Sequence, residues 1–154
     1  MSLSPRHLAA LAASLAGCLS AGEAPYLEAD SQPPSLLSSS PTDGAEDVDP
    51  ALVATLVFDE PLDPATLSPA FRLADGDGHR QPICLFIPEG PPAAGKSFAV
   101  VVKSGTRDAV GCAPRVLAHR TPHTLSVAAS VTDLVGNPLA APLAIHFTTA
   151  PGSP

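Results

Sequence analysis

Nineteen prolines and eleven glycines are scattered along a chain of 154 residues. Proline lacks the amide proton and its ring clashes with the preceding helical turn, so each one limits how far a helix can run. Outside the first twenty residues no window sustains a helix of several turns. Between the breaks lie short runs whose apolar side chains recur at every second residue. Leu52, Ala54, Leu56 and Phe58 form one such row, and Phe98, Val100 and Val102 a second. Leu125, Val127, Ala129 and Val131 form a third, and Leu143, Ile145 and Phe147 a fourth. A period of two turns one face of an extended strand toward a core. Short strands in series, punctuated by turns, predict an all-β antiparallel sandwich. With no Trp, one Tyr and five Phe, its core must be built of Val, Leu, Ile and Ala.

The first seventeen residues follow other rules. Arg6 and the free amino terminus precede the apolar run Leu8 to Ala16, which ends in Leu15-Ala16-Gly17-Cys18. The run is too short to cross a bilayer and has the length of a signal-peptide core, so residues 1–17 read as a signal helix. The tetrapeptide resembles the lipobox of bacterial lipoproteins. That resemblance implies that Cys18 is lipidated and becomes the mature amino terminus. Leu19 after the cysteine implies the outer membrane. Residues 18–34 are small, acidic and proline-bearing, as expected of a flexible tether. The folded domain is expected over 35–150, with 151–154 as a disordered tail. Removing the leader takes the formal charge from -7 to -8, because Arg6 is its only charged side chain. So acidic a surface repels phosphate backbones, and nucleic acid is not an expected partner.

Two motif sets frame the domain. Pro41-x-Asp43-Gly44-Ala45-x-x-Val48 opens it, followed by the strand ending in Phe58-Asp59-Glu60-Pro61-Leu62-Asp63-Pro64-Ala65-Thr66-Leu67. Asp133-x-x-Gly136-Asn137-Pro138 and Phe147-Thr148-Thr149 close it. In order and spacing these resemble the bacterial Ig-like domain of the surface-layer-protein type, over about residues 36 to 150. The resemblance implies an Ig-like, Greek-key sandwich used as a stalk, spacer or adhesion module, with no active site. The residues themselves add local detail. Ser35 to Ser39 suits an edge strand, and Asp63 before Pro64 suits the cap of a single helical turn. One irregularity stands out. A strand followed by Asp-x-x-Gly occurs twice, at Phe98 to Gly111 and again at His123 to Gly136. An extra segment centred on Cys112 to Pro122, carried on a sandwich edge, accounts for the doubling.

Several constellations could carry chemistry. Gly90-Pro91-Pro92-Ala93-Ala94-Gly95-Lys96-Ser97 fits the P-loop string letter for letter. That loop needs backbone N–H groups around the phosphates and a helix beginning at the lysine. Pro91 and Pro92 have no N–H, and Ser97 to Val102 reads as a strand, so no nucleotide partner is expected. Once Cys18 is lipidated, Cys84 and Cys112 are the remaining thiols of an exported chain, and a disulfide is their natural pairing. It would close a loop of about 28 residues. Cys84, Cys112, His119 and His123 could instead hold zinc. The cysteines lack knuckle spacing, however, and Pro122 breaks the segment between the histidines. His119 and His123 therefore read as surface residues.

Asp75-Gly76-Asp77-Gly78-His79 offers alternating carboxylates, so Asp75 and Asp77 are calcium candidates, with Asp108 or Asp133 as possible helpers. The stretch departs from the EF-hand pattern at His79 and Phe86, and a solvated hairpin turn explains it as well. The expected protein is thus a non-catalytic, lipid-anchored envelope module. It needs no cofactor, is held to the membrane by its lipid, and meets envelope or surface proteins. The alternative is a ligand-binding or calcium-dependent adhesion domain using the loops around Asp75 to His79 and Gly111 to His123.

Overall fold

The alternating rows become two sheets laid face to face. The computed structural model describes residues 30–88 and 97–152. The leader, Cys18, most of the tether, Gly90 to Lys96 and the last two residues lie outside them.

The first sheet contains β1 (Leu36–Ser40), β3 (Val53–Phe58), β7 (Phe98–Arg107), β6 (Ile83–Phe86) and β8 (Cys112–Pro114). Its order is β1-β3-β7-β6, with β8 continuing beside the far end of β7. The second sheet runs β2 (Ala45–Val48), β10 (Leu143–Thr149), β9 (Pro122–Val127), β4 (Phe71–Asp75) and β5 (Arg80–Gln81). The chain changes sheet between β1 and β2, β2 and β3, β3 and β4, β5 and β6, and β8 and β9. These crossings give the Greek-key character. All pairings are antiparallel except the edge pair β2–β10, which is parallel.

The rows named from the sequence face inward, except for Ala129 beyond the end of β9. Ala54, Leu56 and Phe58 of β3 are fully buried, as are Val100 and Val102 of β7 and Leu125 and Val127 of β9. Phe71, Leu73, Ile145 and Phe147 meet them from the second sheet, and Leu52, Leu62, Leu67, Val131 and Leu139 close the ends. Burying each Leu, Val or Phe stabilises the fold by about 1.5–3 kcal/mol, and this single apolar cluster is built without Trp. The edge strand that the sequence predicts over Ser35 to Ser39 is β1, which lies at one edge of the first sheet.

Three details differ from expectation. The helical turn after Asp63 extends to α1 (Pro64–Ala70), because Asp63 caps it through its carboxylate and Thr66 folds its hydroxyl back onto the Asp63 carbonyl. Strand β9 stops at Val127, where Ala128 N–H bonds the Ala70 carbonyl, and Val131 returns to the core from a turn. Within the stretch read as tether, Pro34 is buried and the Asp30 carbonyl accepts a bond from Asn137 Nδ2 at 3.0 Å. Among the described residues no helix is long and apolar enough to cross a membrane.

The doubled motif resolves into two real strands. β7 lies inside the first sheet and β9 inside the second, each followed by its own Asp-x-x-Gly turn. Part of the segment between them, β8, is added at the edge.

Candidate functional site

The motif carboxylates hold backbone. Asp43 Oδ1 accepts the His146 N–H at 2.8 Å and faces the His146 ring at 2.9 Å, while Gly44, at φ 79°, donates its N–H to the His146 carbonyl. The His146 N–H holds the Asp43 carboxyl below its usual value of 3.8. Asp59 exchanges two bonds with Ser35, tying the start of β1 to the end of β3.

Asp133 is only 2% exposed. Its Oδ1 accepts the N–H groups of Val135, Gly136 and Asn137 at 2.7–2.9 Å, and its Oδ2 accepts Asn137 Nδ2 at 2.7 Å. Burial pushes this carboxyl upward, but the Asn137 side chain and the three backbone donors outweigh it and leave it below 3.8. Asp108 does the same in the open, accepting only Val110 and Gly111 N–H at 2.8 Å.

The calcium candidates stand at the β4–β5 turn. Ligand atoms of Asp75, Asp77 and His79 come within 4.8 Å of one another. Asp75 Oδ1 already accepts the N–H of Asp77 and of His79, and Oδ2 lies 3.2 Å from Gln81 Nε2. Burial raises the Asp75 carboxyl, and the His79 N–H and ring reverse this to give a net lowering. A calcium ion takes six to eight oxygens, and this turn supplies two carboxylates and an imidazole, a poor match. Neither helper joins them. Asp133 sits beside Leu62 at the opposite end of the sandwich, and the Asp108 carboxylate holds its own turn.

Cys84 and Cys112 are bonded, with Sγ atoms 2.09 Å apart. Cys84 lies on the outer face of β6 and Cys112 on β8, so the bridge crosses the outer face of β7. Gly105 makes that crossing possible. A Cβ there would lie 2.5 Å from the Ala113 carbonyl oxygen and 2.7 Å from Cys112 Sγ. The pairing leaves no thiols for the zinc arrangement.

His123 is not a surface residue. It is 2% exposed, stacks on Phe147 at a ring separation of 5.5 Å, and directs Nδ1 to the Thr121 carbonyl at 2.8 Å. A carbonyl only accepts, so Nδ1 carries the proton. Thr149, also buried, bonds the Ala118 and Thr121 carbonyls through its hydroxyl. His119 remains exposed, 3.3 Å from the Ala150 carbonyl. The glycine-rich string lies outside the described residues up to Lys96, but Phe98 to Arg107 is an antiparallel strand where a P-loop requires a helix.

A cluster that the sequence did not indicate gathers Asp30, Glu60 and Asp133 within 4.8 Å of one another. Desolvation, followed by Asp133, Asp30 and Asp59, raises the Glu60 carboxyl above its usual 4.5. Three residues so far apart in the chain give no local signal. Tertiary contacts bring them together, among them the bridge from Leu62 to Asp133 and the bond from Asn137 to the Asp30 carbonyl.

Two crossed-over sheets, a short capped helix between β3 and β4 and backbone-capping aspartates at the turns define an immunoglobulin-like module. The chain belongs to the bacterial Ig-like domain family, which matches residues 30–149. Membership sets the domain among exported modules that work outside the cytoplasm. Among solved structures it is similar to CopC from Methylosinus trichosporium OB3b, at 16% identity and a TM-score of 0.52. That match covers 79% of this chain and 97% of the other, and concerns the fold alone. No curated protein matches the chain.

Proposed function

We propose that this domain is the folded part of an outer-membrane lipoprotein, anchored through Cys18, and that it acts as a non-catalytic structural or protein-interaction module of the cell envelope. The observation that carries the reading is how the buried polar groups are used. Asp133, His123, Thr149 and Ser104 all bond to partners inside the domain, and no buried side-chain polar atom lacks one among the described residues. Residues engaged in this way position backbone, which supports a structural role. Leu15-Ala16-Gly17-Cys18 supports the anchor, since several acyl chains on one residue hold where a single chain binds only marginally.

The test is expression of the full chain in a bacterial host, with intact mass and membrane fractionation. The processed protein is expected to begin at Cys18, to carry acyl chains there and to sediment with outer membrane. Cys18→Ser is expected to abolish all three. An unprocessed chain, or one released in soluble form with Cys18 intact, overturns the anchor. The second reading, a calcium-dependent adhesion domain, draws on the approach of Asp75, Asp77 and His79. The same preparation melted with and without Ca²⁺ separates the two. A shift abolished by Asp75→Ala/Asp77→Ala supports adhesion, and no shift leaves the structural role.

A further inference from the structure

The turn from Asp133 to Gly136 presents apolar side chains where turns ordinarily present polar ones. Leu134 and Val135 occupy its two central positions and are 61% and 65% exposed. The turn is held from below. Asp133 is buried and accepts the N–H groups of Val135, Gly136 and Asn137, and Gly136 closes the turn at φ 100°. Scattered apolar residues are ordinary on a surface, whereas an adjacent pair on a fixed projection makes a contact tip.

The position of this tip matters. Asn137, at its foot, donates through Nδ2 to the Asp30 carbonyl at 3.0 Å, so the tip stands at the end of the sandwich where the chain enters. Twelve peptide steps separate Asp30 from Cys18. At about 3.3–3.6 Å each they reach at most about 40 Å, so an anchor at Cys18 keeps this end within that distance of its bilayer. The comparable turn from Asp108 to Gly111, with Val110 97% exposed, lies at the other end. Strand β7 starts beside Phe58, the partner of Leu36, and runs ten residues away from both before that turn begins.

Charge narrows the choice of surface. Asp30 and Glu60 gather with Asp133 at the base of the tip, and among the described residues no lysine or arginine pairs with them. Such a cluster repels anionic headgroups and leaves zwitterionic ones as the surface that the tip can enter.

We propose that Leu134 and Val135 form a docking tip that enters the zwitterionic headgroup region of the bilayer holding the Cys18 anchor, an inference that rests on the lipid anchor proposed above. Two side chains are too little to recruit the domain from solution. On a tethered domain the surface is already at hand, and the same contact suffices to set which end faces it.

The experiment uses the lipidated full chain purified from membranes, its acyl groups verified by intact mass, in phosphatidylcholine vesicles that include phosphatidylcholine brominated on its acyl chains. The chain has no Trp, so Leu134→Trp and, separately, Val110→Trp each place a single indole on an exposed turn. Leu134→Trp is expected to be quenched at least about twofold more than Val110→Trp, with bluer emission. Adding Val135→Asp to Leu134→Trp is expected to bring quenching down to the Val110→Trp level, and replacing part of the lipid by phosphatidylglycerol is expected to weaken it. Equal quenching at the two turns of an acylated chain, or quenching indifferent to Val135→Asp, overturns the docking tip and leaves the anchor standing. Stronger quenching with phosphatidylglycerol overturns the choice of zwitterionic headgroups. A chain without acyl groups overturns the anchor and the tip together.

Discussion

Asp133 and Asp108 begin turns of one pattern and differ in their surroundings. Asp133 is buried and satisfies three N–H groups and an amide, whereas Asp108 is exposed and satisfies two. Removing a buried acceptor leaves its donors unpaired, while water replaces an exposed one. Asp133→Ala should therefore cost about 2–3 kcal/mol in urea unfolding and Asp108→Ala less than about 1 kcal/mol. Equal losses would mean that burial does not set the difference. The turns themselves were legible, since an aspartate followed by glycine three residues on has a local mechanism. Their depth was not, because burial depends on what packs above. The burial of His123 is hidden in the sequence for the same reason. Its inward position follows from sharing a row with Leu125 and Val127, a parity that the sequence contains but that an imidazole obscures.

At the scale of elements, the long strands β3, β7, β9 and β10 were readable because each buries one face and turns the other toward solvent, which imposes alternation on them. β2, β5 and β8 were not. They are two to four residues long, polar or proline-bearing, and bonded along sheet edges, where no alternation is required. The disulfide compensates for the weakness of β8. Closing a loop of 28 residues restricts the unfolded chain, so Cys84→Ala/Cys112→Ala should lower stability by about 3 kcal/mol. Gly105→Ala should cost about 1–3 kcal/mol, and most of that cost should persist in the cysteine-free background. The nearest obstacle to its Cβ is the Ala113 carbonyl and not sulfur, at 2.5 against 2.7 Å. Chemical denaturation of the parent and these three variants measures both terms. A Gly105→Ala cost that vanishes without the cysteines would show that the bridge alone demands glycine.

For the molecule as a whole, the carboxylates set opposing slopes with pH. Asp43, Asp75 and Asp133 titrate below 3.8 when folded, so their contribution is complete above that value and is lost as pH falls through the depressed pKa. Glu60 titrates above 4.5, so its contribution is present below that value and is lost as pH rises through the raised pKa. Thermal melts across pH should show a maximum on the acidic side of neutrality. Glu60→Gln should flatten the decline toward pH 7 and leave the acid limb, whereas Asp133→Asn should blunt the acid limb. A profile unchanged by Glu60→Gln would show that the three-carboxylate cluster carries no strain.

The direction of the chain through the sandwich has a mechanical consequence. Asp30 and Ser35 attach beside Asn137 and Asp59 at one end, whereas Thr149 and Gly152 leave beside Thr121 and His119 at the other. Tension between those points pulls β1 and β10 lengthwise past their neighbours, loading whole ladders of hydrogen bonds together. Rupture must then break them in parallel and not one after another, the geometry that lets a small domain bear load along its length.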